Sequence, residues 1–165
     1  PATGRSPEFW GRSMGWVPVA LLEEYELLQA GDPAREALAE VACDLLRALC
    51  PWQDEKTGLW YQVVDKGDRP ENWHEVSCSC LYVAALCRAV RLGLMDASAL
   101  EIARKGCAGV VESLQEAGDD LLIGGVCVGT GVGDYAHYCA RPVSVNDLHG
   151  VGAFLLMCAE TAKAF

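Results

Sequence analysis

The chain has 165 residues, of which 52% are apolar, and its formal net charge is −10. This length and composition predict one globular domain with a substantial core. The negative charge argues against nucleic acid and anionic membrane surfaces as partners, because both repel it. The sequence shows no apolar run long enough to cross a bilayer, and residues 1–6 lack the pattern of a signal peptide.

Aromatic and basic residues are concentrated near the start of the chain. Trp10 and Trp16 flank Arg12 in the sequence FWGRSMGW. Indole faces cover the faces of sugar rings, and an arginine presents a planar fork of donors to a carboxylate. The cluster therefore predicts a carbohydrate site. The alternative is that both tryptophans are core residues that anchor the start of a helix.

The next segments predict a pair of antiparallel helices. Apolar residues recur at helical spacing over residues 17–28, directly after the aromatic cluster, and Gly31 ends the pattern. Asp32 is the expected N-cap of a second helix, with Pro33 at its first position. This second helix runs until Pro51 interrupts it.

A second pair of helices is predicted further on. Residues 60–64 alternate like a short strand, and residues 76–92 form a helix that is apolar nearly all round and ends at Gly93. The sequence Ser98-Ala99-Leu100-Glu101 has the spacing of a capping box, so another helix begins there.

The last third of the chain predicts short β segments and one more helix. Apolar runs around Gly124-Gly125 predict a small hairpin, and a helix starts at about Gly150. Repeated helix–loop–helix units predict an all-α fold, in which α-hairpins close into a toroid and the loops carry short β segments.

The nine cysteines predict free thiols rather than disulfides. Their number is odd, and the six in apolar helical patterns favour burial in a reducing compartment, which indicates a cytoplasmic protein. Cys78 and Cys80 near His74 lack the usual zinc-ligand spacing, so we expect no metal. The six cysteines in helical patterns are Cys43, Cys50, Cys80, Cys87, Cys107 and Cys158.

Other chemically active residues have structural alternatives. Asp147 is an expected N-cap, and two residues apart on a helix it would not face His149. His74 and His137 are interpreted as solvated loop residues. Glu75 is the carboxylate to test if the chain is active alone. The glycine-rich residues 124–133 lack the Lys-Ser/Thr pair of a phosphate loop, so they are interpreted as tight turns or close backbone approaches.

Four motifs in order resemble one enzyme group, the unsaturated glycuronyl and rhamnogalacturonyl hydrolases of glycoside hydrolase families 88 and 105. The resemblance is greater to family 105, and in both families these motifs belong to the C-terminal half. The motifs are FWGRSMGW at 9–16, QDEKTGLWYQ at 53–62 and NWHEVSCS at 72–79, and a last one in which GTGVGDY at 129–135 and Arg141-Pro142 lead into NDLHGVGAF at 146–154.

The resemblance implies a barrel of six helical hairpins, with residues 1–165 as the C-terminal part of one such domain. It implies release of a 4,5-unsaturated uronic acid from pectin-derived rhamnogalacturonan oligosaccharides by hydration of the double bond, without metal or organic cofactor. The family's catalytic aspartate lies upstream of the FWGR segment, so the catalytic residue within this chain is unknown.

The same resemblance implies a set of substrate-binding candidates. Arg12 is the expected partner of the uronate carboxylate. Met14 stands where some relatives carry Asn, and Trp60 is either a stacking face for the next sugar or a core residue. The full set is Trp10, Arg12, Met14, Trp16, Trp60 and His149.

Two alternative functions and the identity of a protein partner remain open. A catalytically silent carbohydrate-binding or scaffolding fragment would carry the same motifs. Glycosaminoglycan-type substrates of family 88 would require more basic residues near Arg12, and the sequence shows none beyond Arg5. Because half a barrel leaves apolar faces exposed, we expect a second copy, or an N-terminal half of the same enzyme, as a partner besides the oligosaccharide.

Overall fold

The computed structural model describes residues 4–165. Over that range it confirms a mainly helical fold with short strands. Two 3-10 turns occupy Cys50–Trp52 and Val64–Lys66. The helices are α1 Gly11–Leu27, α2 Pro33–Leu49, α3 Val76–Arg91, α4 Ala99–Ser113, α5 Tyr135–Cys139 and α6 Leu148–Ala164; the strands are β1 Gln115–Ala117, β2 Asp120–Leu122, β3 Val126–Cys127 and β4 Val143–Ser144.

Helix α3 is the centre of the fold. It packs against α1, α4 and α6, and α2 packs on α1. Most of its residues are buried, which confirms the prediction of a helix that is apolar nearly all round. The long loops before α1, α3 and α6 all lie at one end of these helices, and the short loop between α1 and α2 lies at the other end. This arrangement leaves the long loops free to form a site.

Close contact between α1 and α3 depends on two glycines. A Cβ at Gly11 would lie 2.8 Å from Cys78 Sγ, and one at Gly15 would lie 2.8 Å from Leu81 Cβ. Real Cβ atoms do not approach other atoms so closely, so any side chain at these positions would push the helices apart. The glycines of the aromatic cluster thus have a packing role.

The start of α1 was predicted too late in the sequence. The helix begins at Gly11, so the aromatic cluster forms its first turns and Pro18 lies inside it. Glycine and proline both have low helix propensity in a helix interior, so propensity alone does not predict these first turns. Packing of Gly11 and Gly15 on α3 favours the helical conformation instead.

The predicted helix ends agree with the structure in most places. Asp32 Oδ1 accepts a hydrogen bond from Ala34 N at 2.9 Å, which confirms the N-cap of α2. Gly93 follows α3 with a φ of 72°, as a helix stop requires. The capping box was wrong, because the Ser98 side chain makes no cap hydrogen bond with any described residue.

The β segments pair differently from the prediction. The hairpin joins β1 to β2 through Gly118 and Asp119, and not around Gly124-Gly125. Strand β3 pairs with the distant β4. The segment 60–64 makes only isolated bridges, one of them between Trp10 and Val63. Non-local pairing of this kind is not visible in a local sequence pattern.

All nine cysteines are free. Burial raises the pKa of Cys78 and Cys80 on α3, which makes both thiols unreactive. Cys158 is exposed on α6, contrary to the prediction that it is buried. Within residues 4–165 there is no group of three or more His, Cys, Asp or Glu side chains that could hold a metal ion. The same range contains no helix long and apolar enough to span a bilayer.

A charge network ties together the ends of α1, α3 and α6 that lie away from the long loops. Glu160 of α6 is buried and accepts from Arg88 at 3.1 Å, from Arg91 at 3.2 Å and from Lys163 at 3.0 Å. Arg91 also binds Glu26 of α1 at 3.0 Å. Burial raises the pKa of Glu160, but hydrogen bonds from Lys163 and Arg88 outweigh it and lower the pKa overall.

We predict that Glu160→Ala lowers the free energy of unfolding by about 2 to 3 kcal/mol at pH 7. This is less than a fully isolated buried pair loses, because Arg91 keeps Glu26. A carboxylate whose folded pKa is lowered stabilises above its unfolded pKa, and the effect fades as pH falls through the folded value. Urea unfolding at pH 7 and near pH 3 measures the free energy of unfolding of wild type and variant. The prediction is contradicted if the difference between the two proteins is as large near pH 3 as at pH 7. Glu112→Gln on the exposed face of α4 is the control.

Candidate functional site

The candidate site lies where α1, α3 and α6 begin. The N-termini of helices carry partial positive charge, and carboxylates of this chain already cap two of the three, Glu75 at α3 and Asp147 at α6. Contacts between the three starts run through the backbone of residues 125–129. Val76 N donates to Gly125 O at 2.9 Å, and Gly150 packs so closely on the Val126 side chain that a Cβ there would overlap Val126 Cγ2. The segment 125–129 therefore fixes these starts relative to one another.

Glu75 is a buried carboxylate at the centre of this end. It is the N-cap of α3 and accepts from Cys78 N at 2.6 Å. It also accepts from Cys127 N at 2.9 Å and from Ser77 Oγ at 2.8 Å, and its Oε1 lies 3.9 Å from Arg12 Nη1. With 0% of its surface exposed and its oxygens occupied, Glu75 is a structural group and not an acid that reaches substrate.

Arg12 is buried as well, with 2% of its surface exposed. Its Nη1 donates to Cys127 O at 2.6 Å and to Ser77 Oγ at 3.4 Å, and its Nη2 donates to Val128 O at 3.1 Å. The expectation that Arg12 directly binds a uronate carboxylate is therefore corrected. In this structure the guanidinium is used to hold backbone carbonyls, and its carboxylate partner is Glu75 of the same chain.

Trp10 is only partly exposed and packs within the chain. Its indole N–H donates to Gln62 Oε1 at 3.0 Å. Its ring stacks on Tyr138 with centroids 5.6 Å apart, and the Arg12 guanidinium lies 5.0 Å from its centroid. Tyr138 already covers one face of the ring, which favours the alternative in which Trp10 anchors the start of the helix.

Trp16 is the more exposed tryptophan of the cluster, with 40% of its surface accessible. It lies one helical turn after Arg12 on the same face of α1. Met14 lies about 200° away around the helix. It lines an apolar cavity of about 210 Å³ with Phe9 and Trp52 and does not share a surface with Trp16. The assignment of Met14 to the sugar subsite stays a prediction, and the structure places Met14 apart from Trp16.

Trp60 belongs to the core. None of its surface is exposed, and its indole N–H donates to Leu49 O at 2.9 Å. Its ring meets Tyr82 edge to face, with centroids 5.2 Å apart. Of the two interpretations of Trp60, stacking on a sugar is excluded in this structure and the core role is supported.

Asp147 and His149 do face each other, contrary to the sequence argument. Asp147 is the N-cap of α6, as predicted, and has an extended backbone. Its Oδ1 therefore reaches both His149 N at 2.9 Å and His149 Nδ1 at 2.7 Å. These hydrogen bonds lower the pKa of Asp147. Because the carboxylate only accepts, it fixes the proton on Nδ1 and leaves Nε2 of the half-exposed imidazole for a ligand.

The other two histidines are also held by neighbours. His74 Nε2 lies 3.4 Å from Thr57 Oγ1, and its ring is 4.2 Å from that of Tyr61. Burial lowers the pKa of His74, although the charge of Asp54 opposes the shift. His137 is exposed on α5 and pairs with Thr130 Oγ1 at 2.8 Å. Both had been interpreted as solvated loop residues; His74 lies outside a helix but is only partly exposed, and His137 is exposed but belongs to a helix.

Arg141 is a residue of this end that sequence reasoning missed. It precedes β4, and its Nη2 donates to Gly129 O at 2.7 Å. A Cβ at Gly129 would lie 3.7 Å from His149 Cε1, so this backbone passes beside the imidazole. Basic character near Arg12 thus comes from a distant part of the chain. The Arg141-Pro142 pair within the last motif was the only sequence signal.

Comparison with known proteins agrees with this architecture. The family model described as Glycosyl Hydrolase Family 88 matches residues 1–165. The chain belongs to this family. It is 35% identical to the 24.9 kDa protein in picA locus of Rhizobium radiobacter, over 98% of this chain and 75% of that protein.

Solved structures show the same family 88 architecture. A family 105 glycoside hydrolase of C. acetobutylicum is 35% identical with a TM-score of 0.93, covering 98% of this chain and 47% of that one. The unsaturated glucuronyl hydrolase of Bacillus sp. GL1, described as responsible for glycosaminoglycan degradation, has a TM-score of 0.68 at 16% identity, which shows the fold alone. The chain spans about half the length of these enzymes, and the α/α-barrel fold class is confirmed.

We predict that Glu75→Gln lowers the free energy of unfolding by about 3 kcal/mol, because Arg12 loses its buried counter-charge and an amide cannot accept at both former oxygens. Denaturant unfolding of wild type and variant measures the difference. Glu71→Gln, in the exposed loop just before α3, is the matched control and is expected to change stability little. A Glu75→Gln protein as stable as wild type would refute a structural role for the pair.

Proposed function

We propose that this family 88 chain forms the sugar-binding part of a glycosidase that removes a 4,5-unsaturated uronic acid from rhamnogalacturonan oligosaccharides. One observation carries the proposal. An exposed indole, Trp16, and an imidazole oriented by Asp147 occur at the end where three helix N-termini meet. Ring stacking and a directed hydrogen bond together suit a sugar.

The reaction requires a carboxyl group that is protonated near neutral pH, since it donates a proton to the double bond before water adds at C5. Two carboxylates of this end do not supply such an acid to a substrate. The pKa of Asp147 is lowered by His149, and Glu75 is buried with its oxygens occupied. This supports an acid from the N-terminal half of the barrel, as the family resemblance implies.

The residues of this chain then bind and orient. Trp16 covers one face of the unsaturated ring. His149 Nε2, with the proton fixed on Nδ1, accepts a hydrogen bond from a sugar hydroxyl. Arg12 and Glu75 act beneath these groups by holding the backbone of residues 127 and 128. Addition of water at C5 gives a hemiketal, which opens and releases the sugar.

We predict that the chain alone binds an unsaturated rhamnogalacturonan disaccharide without consuming it. The ultraviolet absorbance of the double bond then stays constant, and it falls when the same chain is joined to an N-terminal half that carries the acid. Isothermal titration measures the binding and absorbance measures turnover. An enzyme-like loss of absorbance with the chain alone would place an acid within residues 1–165 and contradict the prediction.

The partner half is expected to cover an exposed apolar row on α6. Leu148, Gly152, Leu155 and Ala159 repeat at spacings of four, three and four, so they share one face of the helix. All four are exposed, and Leu148 is exposed by 84%. Such a row along a helix is a contact surface between packed helices, which supports burial against the rest of the barrel.

We predict that Leu155→Lys weakens association with a separately produced N-terminal half by at least about tenfold, because a charge in an apolar contact is poorly solvated. Sedimentation velocity of the mixture measures this. Val111→Lys, at an exposed apolar position on α4, is the control. If both variants associate equally well with the N-terminal half, α6 is not part of the contact. If the wild-type chain forms a dimer and Leu155→Lys makes it a monomer, a second copy of the chain covers this row of α6.

A further inference from the structure

Arg141 differs from the other arginine at this end in having unused donors. Its Nη2 donates to Gly129 O, but its Nε is buried without a hydrogen-bond partner among residues 4–165. The structure also places no Asp or Glu oxygen of the described range within 4.0 Å of this guanidinium. A buried donor without an acceptor is costly, so the surroundings of Arg141 are incomplete without one.

Arg12, in contrast, has both its donors and its charge paired within the chain. Its terminal nitrogens donate to the carbonyls of Cys127 and Val128, and Glu75 balances its charge. Arg141 takes the next carbonyl, that of Gly129. Two guanidinium groups thus hold three consecutive carbonyls of one segment. The first is covered by the fold, and the second is partly exposed.

The position of Arg141 fits the candidate site. The Gly129 backbone that it binds passes beside the imidazole of His149. Asp147, the carboxylate at the start of α6, is held by His149 and does not lie within 4.0 Å of Arg141. An anionic sugar that approaches His149 therefore meets a guanidinium whose charge is not paired with a described carboxylate.

We propose that Arg141 binds the carboxylate of the acidic sugar and so determines specificity for uronates over neutral sugars. This rests on the proposed function and names the group within the same site that recognises the charge. The bond from Nη2 to Gly129 O lies at an exposed position, so the Nη edge of the guanidinium is the part that faces the ligand. A carboxylate accepts two parallel hydrogen bonds from such an edge, which a neutral hydroxymethyl group cannot do.

The test compares galacturonate with galactose, two sugars that differ in the carboxylate. NMR titration of the 165-residue chain gives the affinity for each. We expect wild type to prefer galacturonate by about tenfold or more, and Arg141→Ala to reduce this ratio to about one while its affinity for galactose is unchanged. Arg141→Lys keeps the charge without the fork and is expected to restore only part of the preference.

Two further variants separate this role from general damage. Trp16→Ala is expected to weaken the binding of both sugars by the same factor, since an indole face does not distinguish them. Arg104→Ala removes a guanidinium that lies over Phe165, at the opposite end of α6, and is expected to change neither affinity. The amide spectrum of each variant reports whether it is folded.

An unchanged ratio in a folded Arg141→Ala chain overturns the proposal. A wild-type chain that binds galacturonate no better than galactose, or binds neither sugar, overturns it too. These results are distinct from failure of the proposed function. That function fails if the chain joined to its N-terminal half leaves the absorbance of the unsaturated disaccharide unchanged, whatever the galacturonate preference.

Discussion

The buried pair of Glu75 and Arg12 is the interaction on which the rest of this structure depends. One carboxylate closes the start of α3, receives the backbone N–H of Cys127 and balances a guanidinium from α1. Burying either charge alone would cost about 3 to 5 kcal/mol, which favours a fold in which the two elements that carry them come together. Their joint presence determines where the segment after β3 lies, and with it one wall of the candidate site.

This constraint divides the polar residues of the family 88 chain into two groups. Glu75, Arg12 and Trp10 form the inner group, whose donors and acceptors are matched within the chain. Trp16, His149 and Arg141 lie further out and retain exposed surface. A rigid inner layer suits an outer layer that must hold a sugar in one orientation, because ordering the outer side chains then needs little rearrangement on binding.

The sequence predicted the fold class and the main helices well, since their apolar patterns are long and Asp32 and Gly93 give local end signals. Burial was harder to predict. Trp60 and Met14 look like ligand contacts in a motif, but their exposure depends on neighbours from other segments. The contact of Asp147 with His149 required the extended backbone of an N-cap. Arg141 enters the site only through pairing of β3 with β4, which no local pattern reveals.

The N-cap of α6 has one more consequence. The same Asp147 oxygen that receives the backbone N–H of His149 also receives the ring N–H of His149. Unwinding the first turn of α6 would therefore free the imidazole to exchange its proton between the two ring nitrogens. His149 Nε2 therefore remains a defined hydrogen-bond acceptor for a ligand only while the first turn of α6 stays folded. Local unfolding of that turn and loss of the binding group are thus coupled through a single oxygen atom.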